Sequence, residues 1–166
     1  MSPENQSDSA SPANIRIANL CMTEKIFVDS NVLVYCRDSA VAKKQVAALD
    51  WMRHLWETQR GRISVQVLNE FYVTVTAKLK PGMTKKEARE EVRDLLSWQP
   101  LAVHPAVLIR SWDAQDKYLL SFWDSMIVAS AELQECKYIL SEDFNEGQEL
   151  FGAKVVNPFV LTPGDI

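Results

Sequence analysis

Apolar positions along the chain change their period from block to block, and the period predicts the elements. Ile26, Phe27 and Val28 form a short unbroken apolar run, the pattern of a strand buried on both faces. Residues 40–58 read as a helix. Val46, Leu49, Met52 and Leu55–Trp56 recur at helical spacing, with Trp51 at the edge of the stripe, so this stripe is predicted to face the core. Arg60–Gly61 ends the helix, and Arg62–Val65 is a short strand candidate. Gln66–Leu79 is rich in β-branched and aromatic residues, which favours a strand locally. Its Leu68, Phe71, Tyr72, Val75 and Leu79 also fit one face of a helix, and its length favours that reading.

Pro81–Gly82 interrupts the pattern. Thr84 then opens another helix, with Glu87 at the capping-box position, running to about Trp98. Leu101–Val103 is predicted as a short strand. Pro105 suits the first turn of a helix to about Tyr118, and Ser121 caps one to about Gln134. Lys137–Leu140 and Lys154–Val156 read as the last strands. Strands alternating with helices predict an α/β sandwich with a mainly parallel central sheet flanked by helices.

With 166 residues, 47% of them apolar, the chain can bury one core. Residues 25–166 are predicted to be that domain. Residues 1–24 are read as a tail: the first 14 hold only Met1 and two alanines as apolar residues. No basic segment precedes an apolar one there, so a secretory signal is not expected, and Met22 is a candidate natural start. No apolar run approaches the roughly 18 residues of a membrane span. Cys21, Cys36 and Cys136 are too widely spaced for a zinc site, and His54 and His104 are the only histidines. A reducing cytoplasm is the simplest expected setting. The net charge of −4 argues against a general binder of phosphate backbones, unless carboxylates are neutralised by bound cations.

The acids then carry the argument. Asp29 directly follows the first strand, and Asp143 follows the strand ending at Leu140 through Ser141 and Glu142. In open parallel sheets, sites form beyond the carboxyl ends of strands. If those two strands are neighbours, both acids face one crevice. Each acid also has a plainer reading. Asp29 fits a turn or a helix cap, and Asp143 an ordinary loop before Gly147. Asp124 is the last position of a capping box begun by Ser121, and Glu70 fits a solvated helix face. Spacing alone does not make the four converge.

Four segments together resemble the PIN-domain family, and within it the VapC-type toxin ribonucleases. They are V-D-S-N-V-L-V-Y, S-V-Q-V-L-N-E-F, F-W-D-S-M-I-V-A-S-A and I-L-S-E-D-F-N-E-G-Q, in the family's order over residues 25–157. The resemblance implies a three-layer PIN-like sandwich, with Gln66–Leu79 helical. It implies that Asp29, Glu70, Asp124 and Asp143 form one acidic pocket, catalytic and metal-binding, supported by Asn31 and Ser141. Glu146 is a candidate carboxylate for a second metal. Oxygen-only ligands suit Mg²⁺ or Mn²⁺, which polarise water and offset phosphate charge. The implied activity is metal-dependent endoribonuclease hydrolysis of RNA, as the toxin of a toxin–antitoxin pair, with an antitoxin and a second copy of the chain as partners.

Lys85, Arg89 and Arg93 share one face of their helix and are candidates for touching RNA backbone; a solvated face of mixed charge is the plainer reading. The five tryptophans are better assigned to core or subunit packing than to base stacking. The alternative function is a catalytically silent PIN-like module that binds RNA or protein. A haloacid-dehalogenase-like phosphatase would want Asp where Asn31 stands.

Overall fold

The computed structural model describes residues 24–166. The expected tail and the candidate start at Met22 lie outside the described residues, apart from Glu24, whose carbonyl accepts from Arg60 Nε at 2.7 Å.

Among the described residues, five strands form one sheet: β1 (Lys25–Val28), β2 (Gly61–Arg62), β3 (Cys136–Leu140), β4 (Glu149–Leu150) and β5 (Ala153–Val156). Their order is β2-β1-β3-β5-β4, parallel throughout except for the β4–β5 edge pair. Among the described residues, six α-helices pack around the sheet: α1 (Ser30–Tyr35), α2 (Ala42–Thr58), α3 (Val65–Val73), α4 (Lys85–Leu95), α5 (Pro105–Tyr118) and α6 (Phe122–Leu133). This is the mainly parallel α/β sandwich that the alternation predicts. The strands at its centre are buried on both faces, with Ile26, Phe27, Val28, Ile139 and Leu140 fully enclosed.

The chain order contains a reversal that fixes where a site can form. After β1 the chain moves to one side of the sheet to make β2; when it returns as β3, it lies on the other side of β1. The connections therefore diverge at the β1–β3 pair and open a crevice beyond the strand ends. Val28 pairs with Leu140 in the register, and Asp29 N–H donates to Leu140 O at 3.0 Å. The residues that leave the two strands thus start side by side.

Local chemistry explains most helix boundaries. Thr84 accepts from Glu87 N–H, and the Glu87 carboxylate accepts from Thr84 N–H in return, completing the predicted capping box. Pro105 stands in the first turn of α5, where its missing N–H costs nothing. The segment Gln66–Leu79 is helical, but only to Val73; it then widens into a π-helical turn, Thr74–Lys78. Gly82 folds back onto that turn. A Cβ there would stand 2.7 Å from Val75 O and 2.8 Å from Leu79 O, so a glycine is required for this approach.

Two expectations are corrected. The core stripe of α2 is Ala48, Trp51 and Leu55, not Val46, Leu49 and Trp56, which remain exposed. The two stripes sit one position apart around the helix. The inner one wins because small Ala48 permits close approach and Trp51 Nε1 donates to Leu161 O at 3.0 Å. Leu101–Val103 is not a strand: Leu101 makes a single bridge to Ser64, and Val103 is exposed. The two-residue edge strand β4 carries too short a pattern to be read from sequence. Among the described cysteines, Cys36 and Cys136 are free and buried, and burial pushes both thiols up to about 12.

Candidate active site

Asp29 is buried at the C-terminal end of β1 and caps α1. Its Oδ1 accepts from Ser30 N–H at 2.6 Å. Its Oδ2 accepts from Ser141 Oγ at 2.7 Å and from Asn31 Nδ2 at 3.1 Å. A carboxylate can stand here between two apolar runs because the strand stops, a helix begins, and donors surround the acid.

Those donors reach two more acids. Ser30 Oγ donates to Glu70 Oε2 at 2.7 Å, tying α1 to α3. Asn31 Nδ2 lies 2.9 Å from Asp143 Oδ2, and Asp143 N–H donates to Ser141 Oγ at 3.1 Å. Asp29, Glu70 and Asp143 are therefore one network, linked by Ser30, Asn31 and Ser141. Asn31 and Ser141, candidates from the sequence, both donate to these acids, and Ser30, which bridges two of them, was not singled out there. Its place beside Asp29 was the available signal.

Asp124 is placed differently. It lies in the first turn of α6, and its hydrogen bonds among the described residues run to Ser121: Ser121 Oγ donates to Asp124 Oδ2 at 2.7 Å, and Asp124 N–H donates to Ser121 Oγ at 3.2 Å. This is the capping role that the sequence offered. α6 nevertheless abuts the network through Gln66, whose Nε2 donates to Glu70 Oε1 at 2.8 Å and lies 3.3 Å from Trp123 O. Glu146 is not joined to the network; its carboxylate accepts from Asn157 N–H beyond β5. Glu142 is paired with Lys44, which also donates to Tyr35 OH at 3.1 Å. Lys85, Arg89 and Arg93 are exposed on α4 and pair with no acid among the described residues.

The electrostatics of the network call for a cation. Burial pushes the Asp29 carboxyl up to about 7; the charges of Asp143 and Glu70 add to this, against the hydrogen bonds from Ser141 and Ser30. Two amide oxygens beside the acids, Asn31 Oδ1 and Gln66 Oε1, are buried without a donor. Hard oxygen donors with excess negative charge fit Mg²⁺ or Mn²⁺, which keep several waters and need only one or two carboxylates. Among the described residues no three acidic, His or Cys side chains stand together as a ready metal cage.

A cleft of about 670 Å³ opens beside the network, with Ser30 and Glu70 in its wall. A second, of about 380 Å³, shares Ser30, Thr74 and Lys78 with it and reaches Asn31 and Glu142. The carboxylate network thus lies at the junction of two grooves, and Lys78 on the π-helical turn overlooks both.

The sequence matches the PIN domain family over residues 26–145, and the chain belongs to that family. Among solved structures, it is similar to the Mycobacterium tuberculosis toxin VapC20, which cleaves the sarcin–ricin loop. That likeness has a TM-score of 0.51 at 15% identity and covers 69% of this chain and 87% of VapC20. No curated protein matches the chain. No helix among the described residues is long and apolar enough to cross a membrane.

Proposed function

We propose that this protein is a metal-dependent endoribonuclease of the VapC type. The observation that carries the reading is the linked placement of Asp29, Glu70 and Asp143 at the β1–β3 crevice, with Asp29 raised by burial and lacking a cationic partner among the described residues. Asp29 would be the central ligand of a Mg²⁺ or Mn²⁺ ion, with Asp143 and Glu70 completing its protein donors and Asp124 reaching the shell from α6. A divalent ion there supplies positive charge to a phosphodiester and an acidified water for its hydrolysis.

The chain's own residues set up the chemistry. Ser141, Asn31 and the Ser30 N–H lock the Asp29 carboxylate from three directions, so its lone pairs keep a fixed aim. Ser30 of α1 and Gln66, one turn earlier on α3, hold Glu70 by one oxygen each. Glu70 is thereby positioned to orient a water rather than to swing free. The exposed Lys85, Arg89 and Arg93 would hold the strand by its phosphates, outside the acidic pocket, where their charges are not consumed by ion pairs.

The reading includes two protein partners, an antitoxin and a second copy of the chain. Val46, Leu49 and Trp56, exposed along α2, support a covered face in the first half of the chain. The alternative, a silent RNA- or protein-binding module, lacks a specific observation in its favour, since all four acids are present.

The test is cleavage of a generic single-stranded RNA. The wild-type protein should cut with Mg²⁺ or Mn²⁺ and stop with EDTA, and Asp29→Asn should lose activity by several orders of magnitude. Cleavage that survives both EDTA and Asp29→Asn would remove the reading.

A further inference from the structure

The five tryptophans do not share one role. Trp51 and Trp98 are core residues, but Trp123 is 61% exposed, and it lines the larger cleft directly before Asp124. Val73, Val103 and Met126 line the same cleft, and Val73 and Val103 are about half exposed. An indole and two valines left open to water beside a carboxylate network are an unusual use of apolar surface. A neutral, flat ring fits such walls.

We propose that the apolar half of this cleft is a stacking slot for one unpaired nucleobase of the RNA strand, with the Trp123 indole as its platform. The RNA-cleaving reading supplies the ligand's identity, and the proposal rests on it. Three observations argue for a base. The slot is continuous with the candidate catalytic network, because Ser30 and Glu70 wall the same cleft. Gln66 also lines the cleft, with its Nε2 3.3 Å from Trp123 O, so a polar amide adjoins the apolar wall. Lys78 also lines the cleft and pairs with no acid among the described residues, so a flanking phosphate has a counter-charge. The π-helical turn matters here: by widening the helix at Thr74–Lys78, it carries Lys78 to the cleft beyond the end of α3. Stacking selects unpaired over paired RNA, because a base inside a duplex already has both faces covered.

The test is binding in EDTA, which separates recognition from cleavage. The full chain is titrated against a fluorescently end-labelled single-stranded RNA oligonucleotide and against the same sequence as a duplex. Trp123→Ala should weaken single-strand binding roughly ten-fold, Trp123→Phe should retain most of it, and duplex binding should change little. Trp112→Ala, which removes another half-exposed indole, should bind as wild type. Unchanged single-strand binding by Trp123→Ala, an equal loss for duplex, or a change confined to the oligomeric state in sedimentation would overturn the slot. Metal-dependent cleavage is read separately. A protein that cuts RNA but ignores Trp123 loses only the slot; one that binds through Trp123 but never cuts loses only the nuclease reading.

Discussion

The buried Asp29 should make the metal-free protein lose stability as pH rises, and Asp29→Asn should remove that dependence. The carboxyl ordinarily titrates at 3.8 and is pushed up to about 7 in the fold, mainly by burial. Its folded-state pKa lies above its unfolded value, so folding takes up a proton between them. Its contribution is therefore most favourable below the unfolded value and is lost as pH rises to the folded one. Each tenfold difference in proton affinity between the two states is worth about 1.4 kcal/mol, so raising the pH from about 5 to about 8 removes about 3 kcal/mol. The substitution leaves a neutral group of the same shape. Asn31 can turn its unpartnered Oδ1 toward the new amide, which limits the damage to the hydrogen-bond network. The assay is urea unfolding in EDTA at both pH values, for wild type and variant. Other acids titrate in both proteins, so the difference between them isolates position 29. Asp29→Asn should gain on wild type by about 3 kcal/mol from the lower pH to the higher. Saturating Mg²⁺ should restore much of the wild-type loss by binding only the folded state. A difference that stays constant across this range would refute the reasoning.

Replacing Lys85, Arg89 and Arg93 together by alanine should weaken RNA binding and lower the slope of log affinity against log salt by about 2 to 3, read by titration at several ionic strengths. Gly61→Ala should destabilise the fold by about 1–3 kcal/mol in urea unfolding, because its Cβ would stand 2.4 Å from the Trp98 ring, which can yield only by repacking the core. Thr84→Ala, which breaks the capping box of α4, should cost about 1 kcal/mol by the same assay without changing RNA cleavage.

Much of the sandwich could be read from period and caps, because those signals are local. Thr84 with Glu87 and Ser121 each mark a helix start through a bond made within one turn, and Pro105 marks one through its fixed φ. What the sequence left open depended on distant partners. The choice between two overlapping stripes on α2 was made by Leu161, 110 positions beyond Trp51, which no window contains. Leu101–Val103 has the composition of a strand but only one residue with a partner to pair with.

The site was legible in a similar, partial way. Asp29 and Asp143 follow strand ends, so their meeting needed only that β1 and β3 be neighbours, and they are. Glu70 comes from a helix, where spacing gives no hint of its target; the family resemblance placed it, and Ser30 makes the contact. Asp124 kept the local capping role that its spacing advertised. Trp123 looked like packing material because it lies on an apolar helix, and only its exposure in the cleft separates it from Trp51 and Trp98.

The most direct measurement is Mn²⁺ binding by electron paramagnetic resonance, comparing wild type with Asp29→Asn and Asp143→Asn. Wild type should bind the ion, and each variant should weaken it at least ten-fold while its circular dichroism stays native. Undiminished Mn²⁺ binding by both folded variants would contradict the claim that these carboxylates share a divalent cation.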